Sequence, residues 1–343
     1  MGPAKKNLSH KQIMRSPAVC LSVLTVGVLV VSIAELCLGP QSYSLAQLWN
    51  AFARQSTTDP AWRVLAYVRI PRLLAGLLAG AALAVAGTLL QAVLNNAMAS
   101  PNVIGVNSGA GFFALLAAAL APEALGAAQF ASFLGALGCA MLVYGLARLT
   151  GLSRTTLVLS GLAVSGMFSA GINIIRLLWP ESVSGAPNFL VGGLSGATLK
   201  MLLLALPYLF TGALLAFWID TDLNVLCLGD ETASSLGLNV ETIRFIGILA
   251  AALLAGAAVS FAGLLSFVGL LAPHIARKIV GNDHRVLLPA SALLGAFCVV
   301  GCDLPARLLF APFELPVGIL LSLIGGPFFL GLLLRHKGGR LYA

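Results

Sequence analysis

The chain reads as an all-α polytopic membrane protein of about ten transmembrane helices, and three observations carry that reading. Of its 343 residues, 59% are hydrophobic and only 9% charged, against about 25% charged in an average soluble domain. Whole stretches lack charge, among them 73–122 and 245–273, and about 20 apolar residues suffice to cross a bilayer as a helix. These stretches are apolar throughout rather than alternating, which argues against a membrane β-barrel.

Charges and turn residues divide the chain into spans expected at 18–38, 73–94, 103–121, 127–147, 155–179, 199–219, 243–262, 264–276, 287–305 and 315–335. Lys5, Lys6, Lys11 and Arg15 precede the first. That run exceeds the usual signal-peptide core and lacks a small-x-small cleavage site, so it reads as a span. The uncharged stretch 73–122 is divided at Asn95-Asn96 and Pro101, and 245–273 near Gly263. The eighth element is then short, a half-span whose irregular ends must lie within protein. Thirty-seven glycines suit close helix–helix approach in lipid. The expected organisation is a cytoplasmic tail at 1–17, a transmembrane domain at 18–335 and a second cytoplasmic tail at 336–343.

Ten spans place both termini on one side. With that side cytoplasmic, thirteen Lys and Arg fall inside and seven outside, as the positive-inside rule requires. Four of the seven, Arg54, Arg63, Arg69 and Arg72, share one short outer segment. Ala86-Gly87-Thr88-Leu89-Leu90 and Ala262-Gly263-Leu264-Leu265-Ser266 would suit an inverted repeat.

Several functions are excluded or disfavoured. The net charge of +8 is scattered between spans, not gathered into a groove-sized patch, which argues against nucleic-acid binding. The six Cys form no CxxC pair, so neither a disulfide framework nor a zinc site is indicated; Cys298 and Cys302, one turn apart, read as packing. None of the six lysines follows a glycine, so there is no GxxxxGK[ST] phosphate loop. HExxH and Gly-x-Ser-x-Gly are also absent. The chain reads as no enzyme, without metal or cofactor of its own. A secondary transporter driven by an ion gradient is the alternative. It usually needs ionisable groups within the membrane, and Glu35, Asp303 and Glu314 all fall near span ends.

Three features carry candidate function. Asp230–Leu238, preceded by Gly229, predicts a short helix on the cytoplasmic side, its start acidic as the helix dipole favours; it is either a solvated loop helix or one that docks into a partner. Arg69, Arg72 and Arg307 lie at outer span ends, against the charge bias. The third feature is Phe267 to Arg277, where Pro273, His274 and Arg277 close an uncharged run.

Together these segments resemble the FecCD permease family, which includes the BtuC-like subunits of type II ABC importers. The resemblance covers about 69–335. It rests on Arg69-Ile-Pro-Arg72, Gly80 to Gly87 followed by Gln91, Ala99-Ser-Pro101 with Gly105 and Ser108-Gly-Ala110, Gly229 with Ala233 and Leu236-Gly237, Phe267-Val-Gly-Leu with Pro273-His-Ile and Arg277, Gly281 with Asp283-His-Arg285, Asp303 with Arg307, and Glu314 to Gly318 with Gly325 and Pro327.

The resemblance implies a BtuC-like homodimer around a central translocation path in the bacterial cytoplasmic membrane. Its partners would be two ABC ATPase subunits, which use the ATP and Mg, and an extracytoplasmic substrate-binding protein. Cargo in this family is a ferric siderophore, haem or cobalamin. By position, Arg69, Arg72 and Arg307 would form a basic rim for the binding protein. Asp230, Glu231, Ala233, Ser234, Leu236 and Gly237 would form the coupling helix that seats in the ATPase. Asn96 and Met98 would form a cytoplasmic gate, with Asn96-Ala-Met-Ala99 standing where the family has Asn-Pro-Leu-Ala. Pro273, His274 and Arg277 belong to a cytoplasmic loop. A haem-ligand role for His274 and His284 is disfavoured, because both fall among basic residues on the cytoplasmic side.

Overall fold

The computed structural model describes residues 17–39, 41–56, 58–124, 126–149, 154–181, 186–310 and 313–335. The two expected tails lie, but for Pro17, outside these residues. Among the described residues there is no strand. The helices are α1 Pro17–Cys37, α2 Leu45–Arg54, α3 Pro60–Val64, α4 Ile70–Val93, α5 Val106–Leu120, α6 Ala127–Leu149, α7 Arg154–Leu178 and α8 Ala186–Val191. They continue with α9 Leu199–Trp218, α10 Asp220–Leu226, α11 Asp230–Ser235, α12 Val240–Ala262, α13 Val268–Val280, α14 His284–Leu308 and α15 Val317–Arg335. Seven helical segments among the described residues are long and apolar enough to cross a membrane, and Val106–Leu120 and Val317–Leu332 are shorter apolar helices.

The element expected from 73 begins earlier. Helix α3 runs through a π-turn at Leu65–Arg69 into α4, so Pro60–Val93 forms one segment of 34 residues. The sequence reading missed this because Arg63, Arg69 and Arg72 look like loop charges. Pro71 sits at the second position of α4, where its missing N–H and fixed φ cost little. The structure also adds α2, opened by a capping box between Ser44 and Gln47.

Helices α4 and α12 are mostly buried, while α1 and α7 are mostly exposed. Around α4 pack α14, α12 and α13; α12 also meets α9 and α6, and α5 lies along α6. Glycine permits these approaches. A Cβ at Gly80 would lie 2.3 Å from the Gly295 carbonyl oxygen, and one at Gly109 would lie 2.4 Å from that of Gly135. With no hydrophobic drive between helices in lipid, backbone proximity of this kind supplies van der Waals contact instead.

The break near Gly263 is present. Helix α12 ends at Ala262, and Gly263 has φ +70°, a conformation that favours glycine. Helix α13 starts four residues later than expected, at Val268, behind Phe267 at φ +65°. The irregular backbone is met by protein: Leu264 N–H donates to Phe189 O, Gly193 N–H to Ala262 O, and Gly318 N–H to Gly192 O. Three irregular segments thus satisfy one another, as lipid demands. The repeat expected at 86–90 and 262–266 is not reflected locally. Gly87 lies mid-helix against α13, whereas Gly263 terminates a helix.

Candidate functional site

Two groups of residues stand at opposite ends of the bundle. Helices α4 and α14 run antiparallel between them. At one end Arg72 meets Asp303; at the other, His284 of α14 lines a cavity with Gln91, Asn95 and Asn96.

The first end is ionic and closed. Arg72 is bidentate on Asp303, at 2.6 Å through Nε and 3.0 Å through Nη2, and its Nη1 reaches Glu314 at 2.6 Å. Arg307 Nη2 lies 2.6 Å from Glu35 Oε1, and its Nε lies 3.7 Å from Asp303 Oδ2. Arg69 donates to the Leu36 and Gln41 carbonyls and stacks over Tyr43 at 5.0 Å. Two of the three cations, Arg72 and Arg307, face three carboxylates while Arg69 is held by carbonyls, and the group joins α1, α4, α14 and the turn before α15.

The arginines of the expected basic rim are buried. Arg69, Arg72 and Arg307 are 3%, 4% and 3% exposed, so their guanidinium groups turn inward. The Asp303–Arg307 pair is likewise buried, not a surface bridge. The seven expected outer cations therefore include two, Arg72 and Arg307, that are paired with carboxylates of the same end, which removes part of their conflict with the charge bias.

The second end carries α11. Its Asp230 accepts from Arg244 Nη2 at 3.0 and 2.9 Å, a contact that clamps α11 to α12. Ala233 is fully buried, while Glu231, Ser234, Leu236 and Gly237 are exposed. Leu236, 65% exposed, is a large apolar side chain facing outward. Gly237 turns the chain at φ +85°, and Asn239 then caps α12 by accepting from Thr242 N–H. The six expected coupling residues thus divide: Asp230 and Ala233 hold the helix, and the others present it.

Beside it lies the Asn95–Met98 turn. Asn95 adopts φ +43°, and Asn96 Oδ1 accepts from Met98 N–H at 2.9 Å. That side-chain turn supplies locally what a proline at 97 would impose through φ. Met98 is half-buried.

Pro273 lies inside α13, not in a loop, and its position has a consequence. Lacking an N–H, it leaves the Gly269 carbonyl without its i→i+4 donor. Gln91 Nε2, on α4, donates to that oxygen at 3.3 Å. Sequence reasoning took Gln91 as a motif residue only; the Gly-x-x-x-Pro spacing in α13 was the signal of an orphaned carbonyl. His274 packs edge-on against Phe328 of α15 at 5.8 Å. Arg277 is half-buried near the end of α13.

Asp283 caps α14 by accepting from Arg285 N–H and also accepts from Asn224 Nδ2 at 2.9 Å. These bonds, the Asn224 amide foremost, hold its carboxyl below the usual carboxylate range. The cap is therefore intact above the ordinary carboxylate pKa and is lost only as pH falls through the depressed value.

The FecCD transport family model matches residues 27–335, most of the chain. The chain belongs to the FecCD transport family. It is 34% identical over 330 residues to the hemin transport system permease protein HmuU of Yersinia pestis, covering 94% of this chain and 98% of that protein. It is 35% identical to the Fe(3+)-citrate import system permease protein YfmE of Bacillus subtilis, over 96% of this chain and 98% of that one. The cobalamin import system permease protein BtuC of Halobacterium salinarum is 40% identical over 80% of this chain and 74% of its own length. The fold superposes on an inward-facing metal-chelate type ABC transporter with a TM-score of 0.82 at 29% identity, covering 93% of this chain and 99% of the other. The family expectation drawn from the motifs is thereby established.

Proposed function

We propose that the chain is the permease subunit of an ABC importer that moves an iron chelate (ferric siderophore or haem) or cobalamin across the cytoplasmic membrane. It works as a homodimer of ten-span subunits with cytoplasmic termini. The three spans beyond the long helices are α5, the half-span α13 and α15. The exposed apolar face of α7, with a cleft of about 570 Å3 lined by Phe112, Met167, Phe168, Ile174 and Trp179, is the surface for the second copy and the path between them. A substrate-binding protein meets the Arg72–Asp303 end; there Arg69, Arg72 and Arg307 brace the surface rather than supply its open charge.

The observation that carries the reading is α11. A six-residue helix is too short to be stable alone, yet it is clamped by Arg244 and holds Glu231, Ser234 and Leu236 outward. The chain has no phosphate-binding loop, so a separate ATPase must hydrolyse the nucleotide with its Mg. That ATPase moves α11, and the helices lining the path shift as near-rigid bodies in alternating access. The ion-gradient alternative is weakened by the pairing of Glu35, Asp303 and Glu314 with arginines, which leaves these carboxylates no relay to serve.

The test is copurification with the partner ATPase. Leu236→Asp should weaken ATPase association at least about tenfold, the scale of losing one apolar anchor, with thermal stability unchanged because the side chain is exposed. Undiminished association and transport would sink the coupling assignment.

A further inference from the structure

Helix α2 keeps an apolar face that the described residues leave uncovered. At about 100° per residue, its side chains fall into three arcs. Leu48 and Ala51 are buried. Gln47, Asn50 and Arg54 form an exposed polar arc. Opposite that arc, Leu45, Trp49 and Phe52 form a stripe whose members are 64%, 71% and 49% exposed. The fold itself fixes the helix. Ser44 Oγ accepts from Gln47 N–H, Gln47 Oε1 accepts from Ser44 N–H, and Phe52 meets Trp62 of α3 edge-on at 6.2 Å. An apolar stripe set against a polar one, with Trp in the stripe, suits a helix lying in the plane of a membrane surface.

The height of α2 along the bundle selects what covers the stripe. Helix α1 has 21 residues, about 31 Å at 1.5 Å per residue, which matches the ~30 Å of bilayer hydrocarbon. Cys37 therefore stands at the hydrocarbon boundary. Tyr43 N–H donates to Cys37 O at 3.0 Å, and Arg69 donates to the Leu36 and Gln41 carbonyls. The chain thus stays folded against the last turn of α1, and α2 starts two residues after Tyr43. Along α1 the exposed side chains of Val23, Val26, Val30 and Ile33 present an apolar surface, and Leu38 carries it to the boundary. The stripe of α2 resumes that surface seven residues later. Arg54 and Arg63 are exposed at the same end, where guanidinium groups meet headgroup phosphate. We propose that α2 lies in the leaflet at the Arg72–Asp303 end, with Leu45, Trp49 and Phe52 among the upper acyl carbons and Gln47, Asn50 and Arg54 toward water. The leaflet then holds α3 through the Phe52–Trp62 contact, and with it the start of the α3–α4 segment. This placement goes beyond the permease reading: it needs only that the chain crosses a bilayer, and depends on neither cargo nor ATPase.

Trp49 fluorescence tests this in the full-length chain, reconstituted in phosphatidylcholine nanodiscs. Of the four tryptophans, Trp62, Trp179 and Trp218 are changed to Phe, which keeps an aromatic ring beside Phe52. A helix lying flat buries its stripe only about 5–10 Å deep, so lipid brominated high on the acyl chain should quench Trp49 at least about twofold more than lipid brominated near the chain end. Asn50→Trp, in the background that also carries Trp49→Phe, puts the probe on the polar arc. Acrylamide in the water should quench that probe at least about twofold more than it quenches Trp49. Should the multiple variant fail to fold, Trp49→Phe alone in the otherwise unaltered chain should remove the quenching by shallow-brominated lipid. Stronger quenching of Trp49 by the deep label, quenching by acrylamide with none by either lipid, or equal behaviour of the probes at 49 and 50 would each overturn the proposal. So would a Trp49 that stays open to acrylamide in the nanodisc until a substrate-binding protein is added, which would make the stripe a protein docking surface. ATPase copurification with the unaltered chain decides the permease reading separately.

Discussion

Arg72→Met should lower stability by about 3–5 kcal/mol, the cost of stripping one partner from a buried ion pair. Asp303, 1% exposed, would keep its charge with only the 3.7 Å Arg307 contact to offset it. Glu314 would suffer less, because its side chain is 37% exposed. In detergent the melting temperature should fall on the order of 5–10 °C. The companion variant Asp303→Leu should also destabilise. Arg72→Met combined with Asp303→Leu should be less damaging than the two losses added, since no orphaned charge then remains; coupling of about 0.5–3 kcal/mol is the expected range for groups in contact. A different outcome is diagnostic. If Arg72→Met melted normally and lost only affinity for a substrate-binding protein, the arginines would be a docking rim after all, and the buried network would be incidental.

That contrast shows what the sequence could and could not carry. The spans were legible because lipid imposes a length and a composition that hydropathy records directly, and the breaks at Asn95–Pro101 and Gly263 were legible because amide and glycine residues interrupt apolar runs. The long α3–α4 segment was not, because a charged residue in a helix and one in a loop look alike until its partner is known. Arg72 and Asp303 are 231 positions apart, and nothing local in either announces the other. The same holds for Gln91 and Gly269. Pro273 implied an unfilled carbonyl, but which side chain would fill it depended on how α4 packs against α13. Position along the chain placed α11; only the Arg244 contact separates the residues that hold it from those it displays.

Gly87→Ala should be among the most disruptive single-methyl changes in the described interior. A Cβ there would lie 1.9 Å from Gly269 O and 2.7 Å from its Cα, and backbone cannot rotate aside as a side chain can. Overpacking costs about 1–3 kcal/mol where neighbours can adjust, and here adjustment means separating α4 from α13. The separation would stretch the Gln91–Gly269 bond that replaces the one Pro273 forfeits, so two contacts fail together. Gly138→Ala is the control: it lies in α6, is exposed, and a Cβ there meets nothing within 4 Å. Removing a helical glycine there should be neutral or stabilising by up to about 1 kcal/mol. Comparable melting of the two variants would show that the α4–α13 contact is loose, and that the Asn95–Met98 turn, carried at the end of α4, is free to move independently of α13. A large loss confined to Gly87→Ala would instead make α4 and α13 one unit, so that any displacement of α13 must carry the turn with it.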